Sequence, residues 1–182
     1  GPTGRDGDFD NGIIAHEYTH GISIRLTGGS GTTGCLTNNE QAGEGWSDWF
    51  GLVMQTTEDN FANEVRGIGT YATGQPTNGG GIRNFPYSRS MTVNPQTYAI
   101  VPNTNFPHGV GEVWAAMIWD LYWNFIDIYG FDSDFYHGTG GNNMVMQLVL
   151  DGLKLQPCNP TFPEARDAII DADEANYDGI HL

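Results

Sequence analysis

The chain has 182 residues, a size that suits one domain with its own hydrophobic core. Apolar residues make up 38% of it without a long apolar run, so no membrane-spanning helix is expected. Seven basic residues face 22 acidic ones, and the net charge of -15 disfavours both nucleic acids and anionic membranes as partners.

Two helices are predicted in the first third of the chain. The first covers about residues 9–27, with Asp8 or Asp10 able to cap its start and two consecutive glycines to end it. The second covers about residues 40–57 and has a broad apolar face that includes three aromatic side chains.

The middle of the chain loses the helical pattern. Residues 67–104 hold a run of three glycines and four prolines, which predicts loop and a short hairpin. A short helix is expected just before it, at about residues 59–66. An irregular stretch of this length often lines a functional site.

Helical patterns return in the last part of the chain. Residues 109–129 are apolar on nearly all sides, so this helix should be buried. Two more helices are predicted at about residues 142–155 and 163–175. The fold class expected from the residues is therefore mainly α, with one long irregular insertion.

The first helix carries the pattern His-Glu-x-x-His at residues 16–20. Positions i and i+4 share one helix face, so His16 and His20 can direct ring nitrogens at one ion. Glu17 lies beside that face, where it can meet a metal-activated water. The five-residue pattern also arises by chance in long proteins, so it needs a third ligand.

Glu44 on the second predicted helix supplies that ligand, and Asp48 follows it at i+4. Glu44 would complete a His₂Glu zinc site with one position open for water. Asp48 can accept the other ring N–H of a ligand histidine. Glu40 competes for the third place, but only Glu44 has the aspartate partner. No histidine follows His20 at the spacing of the extended three-histidine motif.

The two cysteines, Cys35 and Cys158, would be free thiols in a cytosolic protein and would pair in a secreted one. Abundant Gly, Asn and Thr, with Lys154 as the single lysine, lean towards an extracellular protein. No signal peptide is visible, because residues 1–10 are polar and rich in glycine.

Five segments together resemble the fungalysin family, which are secreted fungal metalloendopeptidases of the thermolysin-like superfamily. They are residues 5–8 (RDGD), 16–21 (HEYTHG), 43–48 (GEGWSD), 81–88 (GIRNFPYS) and 156–160 (QPCNP). The resemblance covers almost the whole chain.

The resemblance implies a fold: the helical C-terminal half of a thermolysin-like metallopeptidase domain with one long irregular or hairpin insertion. Residues 1–182 would then form a single zinc-binding helical catalytic subdomain. The family's β-rich N-terminal half, which forms the other wall of the cleft, is expected to be absent from this chain, as are the propeptide and signal peptide. A secreted protein also favours a Cys35–Cys158 disulfide.

The resemblance further implies one Zn²⁺ per chain and hydrolysis of extracellular proteins or peptides, with Glu17 as the general base. It assigns His108 to stabilisation of the oxyanion and Arg83 to the substrate backbone carbonyl. For Arg83 a structural ion pair is the equal alternative. The family's oxyanion site often adds a tyrosine, to which no position is assigned here.

Other interpretations stay open. The chain could bind zinc without activity because half of the cleft is missing, and the β-rich half is then its partner. An accidental motif in a structural protein, and an exopeptidase, which would need an amine-anchoring motif, rank lower. Calcium is weakly supported because its candidate carboxylates fit no spaced calcium loop and solvated carboxylates are favoured. Those candidates are Asp132 with Asp134, or Asp171, Asp173 and Glu174. His137 and His181 have no motif context.

Overall fold

A computed structural model describes residues 4–181, and within that range it contains five α-helices and no β-strand. The helices are α1 (Asn11–Leu26), α2 (Gly43–Val53), α3 (His108–Tyr129), α4 (Gly141–Leu155) and α5 (Phe162–Tyr177). Each packs against the next, in chain order. The mainly α fold class is confirmed. None of the described helices combines the length and apolarity that a membrane crossing requires.

Helix α1 begins where the sequence predicts, because Asp10 caps it. One carboxylate oxygen of Asp10 accepts the backbone N–H groups of Gly12 and Ile13 at 3.0 and 3.2 Å. The other oxygen accepts the N–H of Ala72 at 3.1 Å. The helix ends before Gly28, whose φ of 81° only glycine adopts without strain. Asp10 therefore also ties the irregular segment to the helix.

Helix α2 is shorter than predicted at both ends. Before it, the carboxylate of Glu40 accepts hydrogen bonds from Tyr98 Oη and from the backbone N–H of Phe162, both at 3.1 Å. Its C-terminal end tightens into turns, where the N–H of Gln55 bonds to Leu52 O at 3.1 Å. Contacts with distant segments and tight turns thus replace the outer turns of the predicted helix.

The prediction of a short helix at residues 59–66 is wrong. The segment is a series of turns, in which Asn60 Oδ1 accepts the backbone N–H of Thr57 at 2.8 Å. The irregular character predicted for residues 67–104 is confirmed, apart from a 3-10 helix at Tyr98–Asn103. The predicted hairpin is reduced to one antiparallel bridge between Arg66 and Tyr87.

Helix α3 forms the centre of the hydrophobic core, as its apolar pattern predicts. Its buried side chains include Trp114, Trp119 and Tyr122, which lie against residues of α2 and α5. Met117, at 38% exposure, is the exception in the apolar run. His108 is the first residue of this buried helix.

A disulfide joins the segment before α5 to the loop between α1 and α2. Cys35 and Cys158 are bonded to each other, across 123 residues of sequence. Next to the bond, the N–H of Asn159 donates to Cys35 O at 2.8 Å. Thr161 then caps α5 in a reciprocal capping box with Glu164.

Helices α2 and α3 cross at two glycines, Gly45 and Gly111. A Cβ on Gly45 would overlap the carbonyl of Gly111 and lie 3.0 Å from Trp114 Cβ, while a Cβ on Gly111 would lie 2.6 Å from Gly45 N. The two backbones therefore touch. Glu44, next to Gly45, is brought close to the start of α3 by this crossing.

We expect Gly45→Ala to destabilise the fold by about 1–3 kcal/mol, because the added methyl overpacks the crossing. Gly21→Ala is the matched control on α1: the nearest contact of its Cβ would be Arg25 Nη1 at 3.8 Å, so the change should stabilise by about 0.5–1 kcal/mol. Urea unfolding midpoints measure both. An unchanged midpoint for Gly45→Ala would contradict the close crossing.

Candidate metal centre

Two imidazole rings on α1 meet at the centre of the candidate site. His16 Nε2 and His20 Nε2 lie 3.1 Å apart, and the rings are edge to face. The side chain of His16 is 7% exposed and that of His20 is 31% exposed. The one-turn spacing of the motif produces this pair directly, since both residues lie on one face of the helix.

Glu44, the first acidic residue of α2, completes a triangle with these rings. Its Oε2 lies 3.3 Å from His16 Nε2 and its Oε1 lies 3.7 Å from His20 Nε2. Four ligands around zinc at about 2.0–2.1 Å would stand roughly 3.3 Å apart, so the spacing fits that ion. Glu44 Oε2 is buried and has no hydrogen-bond partner, which also fits a cation.

Within residues 4–181, these three side chains form the one group of three or more His, Cys, Asp or Glu whose ligand atoms all lie within 4.8 Å of each other. Glu40, the competing third ligand, is turned towards Tyr98 and Phe162 instead. The spacing argument that favours Glu44, its aspartate at i+4, therefore selects the residue that the fold brings to the histidines.

The buried carboxylate of Asp48 is a hub, which accepts hydrogen bonds from His16, Arg83 and Tyr87. Its Oδ1 is 2.8 Å from His16 Nδ1, so the ring N–H donates to it and Nε2 faces Glu44. Arg83 donates two hydrogen bonds to the carboxylate, at 2.7 and 2.8 Å. The hydroxyl of Tyr87 donates a fourth, at 2.6 Å. The hub fixes both the tautomer and the orientation of His16.

The buried charges shift the pKa values of the group. Burial lowers the pKa of His16, but the nearby carboxylates of Asp48 and Glu44 outweigh it and raise the pKa to about 9. Burial and the neighbouring His16 lower the pKa of His20. Burial raises the pKa of Glu44, yet the three nearby histidines hold it below its usual value. Burial also raises the pKa of Asp48, but Arg83 and His16 hold it below its usual value.

The two predicted catalytic side chains are both exposed to solvent. Glu17 directly follows His16, its charge acts on His20, and it is not one of the three clustered ligands. His108 is half exposed at the first position of α3, and its Nε2 lies 3.4 Å from Glu44 Oε2. Contact of either side chain with a substrate stays a prediction.

Arg83 is placed differently from a simple substrate-binding residue. Its side chain is 7% exposed and makes the two-bond ion pair with Asp48, and its Nη2 lies 3.5 Å from Glu44 Oε2. The structural ion pair, one of the two sequence interpretations, is present. Contact with a substrate carbonyl stays a prediction.

The sequence motifs did not identify Tyr87 as a site residue, although its hydroxyl donates a hydrogen bond to Asp48. It is fully buried, and burial raises the pKa of its hydroxyl well above the usual value, so it donates to Asp48 at all ordinary pH values. It lies four residues after Arg83, but in an irregular segment this spacing does not place two side chains on one face. Only its place in the family-like string at residues 81–88 singled out this part of the chain.

The remaining candidates lie elsewhere. His137 is exposed near Asp134, and His181 is buried against Asp173. The two carboxylates proposed for calcium in the α3–α4 loop accept backbone N–H groups in local turns, from residues 134, 136, 137 and 139. Among the described residues neither calcium candidate forms a ligand cluster.

Known proteins similar to this chain are metallopeptidases. A family profile described as "Fungalysin metallopeptidase" matches residues 2–182. The "Probable extracellular metalloproteinase 2" of Arthroderma benhamiae is 44% identical over 183 aligned positions, which cover 96% of this chain and 28% of that protein. The "Extracellular metalloproteinase 10" of Coccidioides posadasii is 45% identical over 179 positions, covering 94% and 28%.

The "Extracellular metalloproteinase" of Pyrenophora tritici-repentis is similar to the same degree, at 43% identity over 98% of this chain and 28% of that protein. The chain thus spans a little over a quarter of the length of the curated relatives it matches. The candidate metal centre lies inside the matched region.

Proposed function

Since the chain belongs to the fungalysin family of metallopeptidases, we propose that it carries the zinc centre of a secreted endopeptidase that hydrolyses peptide bonds in extracellular proteins. One observation carries the proposal: ligand atoms of His16, His20 and Glu44 converge within 4.8 Å, and one oxygen of Glu44 is buried without a hydrogen-bond partner. The names of the relatives, extracellular metalloproteinases, support the extracellular location.

The donor set favours zinc. Two imidazoles and one carboxylate are the protein ligands of many catalytic zinc sites, which leave the fourth position for water or substrate. Glu17 and His108, both exposed, would face that position. We assign one zinc per chain to His16, His20 and Glu44, while Asp48 holds His16 in the ligating tautomer.

When bound, zinc would supply Lewis acidity, polarising the scissile carbonyl and lowering the pKa of water towards about 7. Glu17 performs the proton transfers. Its exposed carboxylate accepts a proton from the attacking water and returns it to the leaving amine nitrogen. Glu17 is suited to this role because it stands beside the ligand cluster without joining it.

His108 would donate a hydrogen bond to the oxyanion that develops on the substrate, a contact worth roughly 3–4 kcal/mol. Its half-exposed ring at the start of α3 supports this role. Arg83, within 3.5 Å of Glu44, would hold the substrate backbone carbonyl in addition to its ion pair with Asp48.

Proteins or peptides are the proposed substrates, and a β-rich N-terminal half of the catalytic domain is the proposed structural partner. The exposure of Glu17 and His108 to solvent supports a second wall, which would enclose a substrate at the metal centre.

We expect the protein, stripped with a chelator and reloaded, to hold one zinc per chain after dialysis, as measured by plasma mass spectrometry. His20→Ala removes a ligand and should lower zinc affinity by more than about 100-fold, beyond what loss of an outer partner costs. His137→Ala, on an exposed side chain far from the site, is the control. Absence of zinc after reloading would remove the proposed site.

The second candidate function is a zinc-binding unit that is inactive by itself. The exposure of both Glu17 and His108 to solvent favours it. Chelator-sensitive hydrolysis of a quenched peptide separates the two: activity in the isolated chain supports a complete enzyme. Activity only in the full-length gene product, with zinc bound in both, supports the unit that needs a second wall.

A further inference from the structure

A buried carboxylate on α3 stands apart from the metal centre. Glu112 is 2% exposed and lies one turn after His108 on the same helix. None of the ion pairs in the described part of the chain involves it. A buried charge without a cation is costly unless hydrogen bonds compensate for it. Its hydrogen bonds therefore show what the carboxylate holds.

Those bonds all come from the irregular segment. Asn84 donates its backbone N–H at 3.0 Å and its side-chain amide at 3.1 and 3.3 Å, and Gln96 donates its amide at 3.1 Å. Asn84 directly follows Arg83, the residue that pairs with Asp48. Glu112 thus fastens to α3 the strip of chain that carries Arg83.

The same cluster reaches the loop before His108. The amide of Asn84 also lies 3.2 Å from Asn105 Oδ1, and Asn105 O accepts the N–H of Val110 at 3.2 Å. Helix α3 has no side-chain cap of its own. The loop that starts the helix, and presents His108, is therefore held through Asn105 and Asn84 by Glu112.

We propose that Glu112 is a positioning residue of the catalytic site: through Asn84 and Asn105 it sets the placement of Arg83 and His108 relative to the metal centre. This inference rests on the proposed function. Glu112 touches no proposed zinc ligand by hydrogen bond, so its loss should misplace the substrate-contacting side chains and leave the zinc in place. A displacement of about 1 Å can cost roughly 100-fold in rate.

The test variant is Glu112→Gln, which keeps the shape but puts an amide nitrogen against the donors of Asn84. We expect kcat to fall about 10- to 100-fold, with KM changed less than kcat and one zinc retained. The companion change Asn84→Asp reverses the side-chain polarity and should restore much of kcat in the double variant. In the double variant, Gln96 and Asn105 can rotate their side-chain amides to match the exchanged donors and acceptors. Gln96 Oε1 is available as an acceptor because it has no hydrogen-bond partner.

Val113→Ala is the matched control, because Val113 is buried on the same helix next to Glu112 but belongs to no hydrogen-bond cluster through its side chain. It should lower the unfolding midpoint and leave kcat unchanged at temperatures where the protein is folded. A Glu112→Gln variant that behaves like Val113→Ala, or that the Asn84→Asp change does not rescue, would overturn the inference.

A second readout does not need activity. In zinc-loaded protein with labelled histidine, the ring signals of His108, assigned by their loss in His108→Gln, should move in Glu112→Gln, return in the double variant and stay in Val113→Ala. If no form of the protein hydrolyses peptides, the proposed function fails, and these signals alone decide: displaced signals support the positioning role, and unmoved signals overturn it.

Discussion

Glu17→Gln is expected to lower peptide hydrolysis by about 10²- to 10⁴-fold and to leave zinc binding at one ion per chain. Glutamine keeps the size of the side chain but offers no carboxylate to accept the proton of the attacking water. Zinc is retained because the ligand atoms belong to His16, His20 and Glu44.

The measurement is kcat/KM on a quenched peptide, in the isolated chain and in the full-length gene product, together with the zinc content of each preparation. Glu58→Gln is the control, since it removes the same charge from an exposed glutamate away from the site. Wild-type turnover in Glu17→Gln would show that a different group accepts the proton. Loss of zinc in this variant would instead place Glu17 among the ligands.

The second large effect is expected at Asp48. Asp48→Ala should destabilise the fold by about 3–5 kcal/mol, because it leaves the guanidinium of Arg83 buried without its partner. It also removes the acceptor of the N–H of His16 and of the hydroxyl of Tyr87. Zinc affinity should fall about 10- to 100-fold, since the ligand ring loses its orientation.

Urea unfolding in chelator measures the first effect without metal, and competition with a chromophoric chelator measures the second. Asp48→Asn keeps the shape of the side chain, and it provides the zinc affinity if the alanine variant does not fold. Asp127→Asn is the control, because the ion pair of Asp127 with Arg89 is exposed and should contribute at most about 1 kcal/mol. Equal losses of stability on substitution of Asp48 and of Asp127 would contradict the role of burial.

The contrast between these two aspartates explains why one ion pair matters to the site. The carboxylate of Asp48 is buried and satisfied by three different side chains, so each partner loses its own bond when it is removed. The carboxylate of Asp127 is 59% exposed and water can replace its partner. The metal centre therefore depends on the irregular segment, which supplies two of the three partners of Asp48.

Much of the site was predictable from local spacing. The i, i+4 rule places His16 and His20 on one face of a helix, and it distinguishes Glu44 from Glu40 through Asp48. The capping residue Asp10 and the burial of α3 follow in the same way, because helical periodicity is a property of neighbouring residues. The short helix at residues 59–66 failed because side-chain hydrogen bonds in turns compete with the helix there.

The sequence by itself determined the five α-helices, the donor set of the candidate metal centre and the chemistry those donors favour. Tertiary structure alone decided that Arg83 and Tyr87 converge on Asp48, 35 and 39 residues away, and that Glu112 binds Asn84 from 28 residues away. The physical reason is the range of sequence over which each interaction acts. Helical periodicity relates residues within one or two turns. An irregular segment adopts its position only when its polar groups form hydrogen bonds with buried partners on packed helices.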